Sequence, residues 1–105
     1  MPAKIIAGQN LEVNEEGYLI DHRKWTKEIA AEIAKEEGIN DLTEKHWEVI
    51  KFIQQDFAES GKVPGIRRIN KTGGIPTKDL YELFPDGPVK KAARISGLPK
   101  PQSCV

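Results

Sequence analysis

The sequence predicts an α+β, mainly α fold: a small orthogonal helical bundle with an N-terminal β-hairpin and an extended, mobile C-terminal arm. Three observations lead there. Two long stretches, around residues 21–37 and 43–60, repeat apolar residues at helical spacing. The first twenty residues alternate short extended runs with turn residues. The last nine hold two prolines, which forbid helix continuation. A chain of 105 residues suits one core, so we expect a single domain over residues 1–96, its hairpin at about 3–20, and an arm over 97–105.

The elements follow in order. Lys4-Ile5-Ile6-Ala7 is a short extended run, Gly8-Gln9-Asn10 supplies turn chemistry, and Leu11-Glu12-Val13 alternates apolar with polar. A second turn at Glu15-Glu16-Gly17 precedes Tyr18-Leu19-Ile20. Two short strands are marginal by themselves, so this ribbon must lie on a larger body. Asp21 is placed to cap a helix reaching about Glu37, with Trp25, Ile29 and Ile33 in one stripe beside Ala30 and Ala34. Gly38 ends it in the left-handed position. Asp41 or Thr43 opens a second helix that runs to about Ser60 and stops at Gly61. Its stripe holds Trp47, Ile50, Phe57 and either Ile53 or Gln54, widened by Val49 and Phe52. The aromatic residues of both helices are expected to anchor the core. Beyond Pro64 the elements shorten. A short helix carries Ile66 and Ile69, and Gly73-Gly74 breaks it. Another starts at Pro76, stops before Pro85, and turns Leu80, Leu83 and Phe84 inward. A last helix starts at Pro88 with Val89, Ala92, Ala93 and Ile95, and ends at Gly97.

Composition narrows the function classes. Lysine plus arginine equals aspartate plus glutamate at 16 each, so the strong basic footprint of a duplex-binding protein is missing, though a local patch stays open. No apolar run approaches the roughly 18–20 residues that span a bilayer. The start is too short and too quickly polar for a signal peptide, and a cytoplasmic location is expected. One cysteine cannot form an internal disulfide, and two distant histidines give no zinc-ligand spacing. Neither a metal nor a cofactor is expected.

That one cysteine, Cys104, is penultimate in Gly97-Leu98-Pro99-Lys100-Pro101-Gln102-Ser103-Cys104-Val105. Pro99 and Pro101 bias the arm towards an extended, polyproline-like form. With Gly97 as a pivot, Cys104 has a reach of roughly 20–25 Å at about 3.1–3.3 Å per residue. A thiol on a semi-rigid rod suits a carrier better than a self-contained enzyme, because a catalytic cysteine needs a base and an oxyanion site fixed around it. The Val105 carboxylate disfavours the thiolate; Lys100, or Arg94 if the arm folds back, favours it. Residue chemistry alone leaves incidental placement, a thiol function, and metal or lipid attachment all open. Prenylation is out, since it needs a cysteine four from the end.

The C-terminal stretch resembles a known family. Leu80-Tyr81, Leu83-Phe84-Pro85, Gly87-Pro88, Lys91-Ala92, Ile95, Gly97-Leu98-Pro99-Lys100-Pro101 and Cys104-Val105 are similar to the end of the TusE/DsrC family. This family covers sulfur-relay proteins of tRNA thiolation and the gamma subunit of dissimilatory sulfite reductase. The stretches from Glu15 to Trp25 and from Leu42 to Phe57 also resemble it. The resemblance implies a helical bundle with an N-terminal hairpin and a mobile arm, in agreement with the reading above. It implies that Cys104 accepts a persulfide sulfur and relays it. Members that work with dissimilatory sulfite reductase carry a second cysteine where this chain has Ala93, so the resemblance is to the one-cysteine, TusE-like branch. The segment between Ile69 and Leu80 is also shorter than is usual in the family.

The functional expectation is therefore a sulfurtransferase of the sulfur-carrier kind and not a self-contained enzyme. Cys104 is the acceptor, and Gly97, Leu98, Pro99, Lys100 and Pro101 are the arm and docking residues. Arg67, Arg68 and Arg94 are candidates to stabilise anionic sulfur. The implied partners are a persulfide-donor sulfurtransferase and a downstream acceptor, either a tRNA thiolation enzyme or a sulfite reductase-like complex, with no membrane and no direct nucleic acid. One alternative is a subunit that docks its arm into a sulfite reductase-type enzyme. Another is a helix-turn-helix DNA-binding regulator, built on Arg67, Arg68, Lys71 and Lys78 around the Gly73-Gly74 turn.

Overall fold

The structure, a computed structural model, describes residues 3–101. Strands β1 (Ala3–Ile6) and β2 (Gln9–Glu12) pair antiparallel, with Ile6 opposite Gln9 and Lys4 opposite Leu11. The turn is the two-residue Ala7-Gly8, both at positive φ (51° and 79°), so Gln9 and Asn10 belong to the strand and not to the turn as expected. Two positive φ values match the right-handed twist of the flanking strands, which a longer loop does not need to do. The second turn is held by Asn14, whose side-chain oxygen accepts from the Glu16 and Tyr18 N–H groups at 2.9 and 3.0 Å. A bridge from Val13 to Leu19 closes it.

Five helices follow: α1 (Lys27–Glu36), α2 (Glu44–Ser60), α3 (Ile66–Lys71), α4 (Thr77–Leu83) and α5 (Pro88–Ile95). The first begins five residues later than expected. Asp21 caps only a 3-10 turn at His22–Lys24, and Thr26 is the N-cap of α1, its hydroxyl accepting from Ile29 N–H. Trp25 is drawn out of the helical stripe into an extended conformation. Of the two expected caps, Thr43 and not Asp41 opens α2, and Gly61 closes it at φ 76°. The hydroxyl and backbone N–H of Thr43 pair with the His46 backbone N–H and ring, a reciprocal cap with histidine in the role usual for glutamate.

Helix α5 is the centre of the bundle, with α1, α2 and α4 all packed on it. Ala92 and Ala93 are fully buried at these contacts, where small side chains let the helices approach. The deepest core is aliphatic: Ile29, Ile33, Val49, Ile50, Ile53 and Ile69 are at most 1% exposed. Burial of each such side chain is worth about 1.5–3 kcal/mol. The aromatic residues are therefore not the anchors expected of α1 and α2. Trp25, Trp47, Phe52 and Phe57 are only partly buried and rim the core, and the fully buried aromatic is Phe84. Leu83, expected inward beside Leu80, is also only partly buried. The short α3–α4 connection fits because a Cβ on Gly73 would meet the Ile69 carbonyl oxygen at 2.6 Å and the Phe52 ring at 3.2 Å.

His46 ties two elements together. Its Nε2–H donates to the Leu83 carbonyl at 2.9 Å, and its Nδ1 accepts from Thr43 N–H at 3.0 Å. The ring stands edge-on to Phe84. Replacing a buried ring that satisfies two backbone groups removes packing and leaves both groups unmade. His46→Ala is expected to cost about 2–4 kcal/mol. His46→Gln, which can still complete the cap of α2, should lose less. Urea unfolding of the three proteins checks this, and equal losses for both variants would show that the cap contributes nothing.

Candidate functional site

Cys104 lies outside the described residues; the structure shows the ground from which its arm departs. Helix α5 ends in a Schellman motif. Leu98 N–H donates to Ala93 O at 3.0 Å and Gly97 N–H to Arg94 O at 3.3 Å, with Gly97 at φ 74°. Three carbonyls remain beyond the helix's own bonds, and each takes a side-chain donor from elsewhere. Trp25 Nε1–H donates to Ile95 O at 2.8 Å, Gln54 Nε2–H to Ser96 O at 2.9 Å, and His22 Nδ1–H to Gly97 O at 3.0 Å. The last bond fixes the His22 tautomer, because a carbonyl only accepts.

Gly97 is therefore not the pivot expected of it. Trp25 packs directly against it: a Cβ there would sit 2.6 Å from Trp25 Cδ1. The first five arm residues are seated on the body. Leu98 is 4% exposed and Pro101 is buried. Lys100 reaches the Glu16 carboxylate at 2.9 Å, a pair half exposed on both sides and worth no more than about 1 kcal/mol.

The three arginines are placed apart. Arg94, on α5, is ion-paired with Glu36 and Glu37 of the α1 end and donates to Gly17 O at 3.3 Å. Arg68, on α3, makes a bidentate pair with the buried Asp56 of α2 at 2.6–2.9 Å, which raises its pKa above the ordinary arginine value. Arg67 is exposed and makes no ion pair among the described residues. Arg68 and Arg94 thus serve structural carboxylates before any ligand. Burial pushes the Glu36 carboxyl upward, but Lys4 and then Arg94 outweigh it and hold it below the ordinary carboxylate range. Tyr18 is shifted the other way, its phenol raised by burial and by the nearby Glu16. Among the described residues, no three His, Cys, Asp or Glu side chains gather as for a metal ion. No helix there is long and apolar enough to cross a membrane.

Sequence reasoning missed His22, Trp25, Glu16 and Gln54 as residues of the arm root. The signal was partial: Glu16, His22 and Trp25 all fall in the stretch from Glu15 to Trp25 that carries a family resemblance, while Gln54 was weighed only as a core residue.

A mainly helical domain with an N-terminal ribbon and a C-terminal arm seated by its first residues is the class of protein that this geometry defines. Comparison with known proteins gives the family. The family model described as "DsrC like protein" matches residues 5–105, and the chain belongs to that family. Among its relatives is the dissimilatory-type sulfite reductase subunit gamma of Nitratidesulfovibrio vulgaris, 39% identical over 93% of each chain. Sulfurtransferase TusE of Escherichia coli is 40% identical, over 96% of this chain and 98% of its own. The fold superposes on the crystal structure of dissimilatory sulfite reductase I with TM-score 0.87 at 36% identity, covering 99% of this chain and all of that one. It superposes on the NMR structure of Allochromatium vinosum DsrC with TM-score 0.81 at 37% identity, covering 98% and 97%.

Two expected outcomes follow from the arm root. Gly97→Ala adds the left-handed cost of about 1–2 kcal/mol to a clash with Trp25 of about 1–3 kcal/mol. Gly38→Ala, at φ 86° with nothing within 4 Å of the added carbon, adds the first cost alone. The thermal midpoint should fall further for Gly97→Ala, with a changed tryptophan emission; equal shifts would remove Trp25 from the account. For Glu36, a depressed folded pKa contributes stability that is present above the ordinary glutamate range and is lost as pH falls through the folded value. The midpoint difference between the native chain and Glu36→Gln should therefore favour the native chain at neutral pH, shrink as pH falls below the ordinary glutamate range, and vanish once pH lies below the depressed folded value. A difference independent of pH would contradict the ion pairs.

Proposed function

We propose that this chain is a sulfur carrier in which Cys104 accepts a persulfide sulfur and passes it to a partner enzyme. The observation that supports this most is the sequence run from Gly97 to Pro101 followed by Cys104-Val105, whose first residues Gly97 and Leu98 the body holds in place. Relatives named sulfurtransferase and sulfite reductase subunit, alike over nearly the full chain, support it further.

The chemistry needs no oxidant. The Cys104 thiolate attacks the outer sulfur of a donor persulfide, a new S–S bond forms, and the donor's S–S bond breaks with its electron pair leaving on the donor thiolate. Cys104 then carries –S–S⁻, and an acceptor thiolate takes the outer sulfur by the same step. With one cysteine in the chain, no intramolecular disulfide competes, and Ala93 is fully buried where a second thiol would stand in two-cysteine members. The donor is a persulfide sulfurtransferase. The acceptor that the one-cysteine pattern favours is an enzyme of the tRNA thiolation type. Gly97, Leu98, Pro99, Lys100 and Pro101 set the arm's direction, and Lys100 is the cation nearest the thiol in sequence. Arg67 is the arginine left to meet an anionic partner, since Arg68 and Arg94 are paired.

A second reading, docking of the arm into a sulfite reductase-type enzyme, is favoured by the likeness to the Nitratidesulfovibrio vulgaris gamma subunit. It requires no sulfur on Cys104.

Intact-mass spectrometry separates the two. After incubation with a persulfide-loaded sulfurtransferase, the native chain should gain one sulfur that dithiothreitol removes, and Cys104→Ser should gain none. No gain from several loaded donors would overturn the carrier reading.

A further inference from the structure

Beside the arm root runs a groove that the sulfur chemistry does not use. Two depressions meet at Trp25 and Gln54. One continues between Trp47, Lys27 and Lys51. The other continues along Phe57 and Ala58 to Leu98. The floor is the face of α2 that carries Trp47, Lys51, Gln54 and Ala58, residues spaced to lie on one side of a helix. Trp25, Trp47 and Phe57 are only partly buried there. A contiguous apolar strip of this kind on a chain with 30% charged residues marks an interaction surface.

Charge says what covers it. The chain has as many acidic residues as basic ones, yet no aspartate or glutamate lines either depression. The groove instead carries Lys27 and Lys51, both exposed, with the Lys27 ammonium over the Trp47 ring at 5.9 Å. At the Leu98 end, Ser96 is 1% exposed and its hydroxyl has no hydrogen-bond partner among the described residues. An occupant therefore brings apolar side chains to the indoles and carboxylates to the two lysines; the Ser96 hydroxyl is too deeply buried to meet it. A nucleic acid strand fits less well. Two lysines fall short of a phosphate-tracking stripe, and one face of Trp47 is already taken by Lys27.

We propose that this groove is the docking face for an acidic, apolar segment of the partner protein. The inference rests on the carrier reading only for what that partner is, a sulfur donor or acceptor. A partner seated here lies against Trp25, Gln54 and Leu98, the side chains that hold the arm root. Its own sulfur site then sits beside the base of the arm, and the affinity comes from the groove while the thiol is left to do exchange. Mutual charge steers the encounter and sets the register.

The chain's two tryptophans both line the groove, so their fluorescence reports its occupancy. The probes are three: a hexapeptide with Leu-Phe between pairs of glutamates, its counterpart with lysines, and oligouridylate. The protein is the full chain carrying Cys104→Ser, so failure of the sulfur chemistry cannot affect the result. The acidic peptide should give a saturable, salt-sensitive change at about tenfold lower concentration than the lysine peptide. Lys27→Glu with Lys51→Glu should weaken it about fivefold or more, and Lys27→Arg with Lys51→Arg should preserve it. No saturable response, an equal response to the lysine peptide, or indifference to charge reversal overturns the proposal. Tighter binding of oligouridylate overturns it in favour of an RNA surface.

Discussion

A helix that ends inside a protein leaves carbonyls that must find donors, and the end of α5 is the place where this chain meets that demand. Every carbonyl from Ala92 to Gly97 is accounted for. Ala92, Ala93 and Arg94 accept from Ser96, Leu98 and Gly97, while Ile95, Ser96 and Gly97 accept from Trp25, Gln54 and His22. Leaving any one unmade costs about 1–3 kcal/mol. The three foreign donors come from the segment before α1, from α2, and from the 3-10 turn. The termination of α5, its attachment to α2 and to the segment before α1, and the course of residues 97–101 are thus one structural event.

The same logic explains the N-terminal ribbon, which is too small to stand alone. Lys4 of β1 pairs with Glu36, and Arg94 bridges Glu36, Glu37 and the Gly17 carbonyl. Lys100 reaches back to Glu16. The ribbon, the end of α1 and α5 are joined by one cluster of alternating charges, and a separate pair joins the ribbon to the arm root. Individually these pairs are small, and most exposed pairs contribute under about 1 kcal/mol. Their value here is positional. They align the ribbon's second turn with the arm while Leu11, Val13, Tyr18 and Leu19 provide the burial.

What was legible in the sequence was local. Thr43 and Gly61 bound α2 because cap and stop chemistry acts within a turn of the chain. The same holds for Pro88 and Gly97 around α5. Trp25 was misplaced because its partners, Ile95 and Gly97, are some seventy residues away, and no periodicity encodes that distance. His46 was invisible as a cap because histidine is not the residue that such caps advertise, and its second bond runs to Leu83 on α4. The aromatic rim was misread as a core because helical spacing gives a side and not a depth. Cys104 was legible as chemistry from its rarity and position, while the seating of residues 97–101 depended on tertiary contacts.

That seating changes the energetics of delivery. With the root in place, the three residues from Pro101 to Cys104 extend at most roughly 10 Å. The full reach of roughly 20–25 Å is available only if Leu98 leaves its site and Lys100 leaves Glu16. Exposing Leu98 costs about 1.5–3 kcal/mol, and the ion pair adds up to about 1 kcal/mol. A released arm is then a minor state, on the order of 0.1–10% of molecules. An enzyme that binds the released arm must supply that difference, and one that touches Trp25 and Gln54 acts on the groups that hold the root closed. On the carrier reading proposed above, a thiol beyond this root reaches further against a surface that releases Leu98 and Lys100 than it does in isolation. Under the same proposal, selectivity for partners would lie in the body of the protein and reactivity at Cys104.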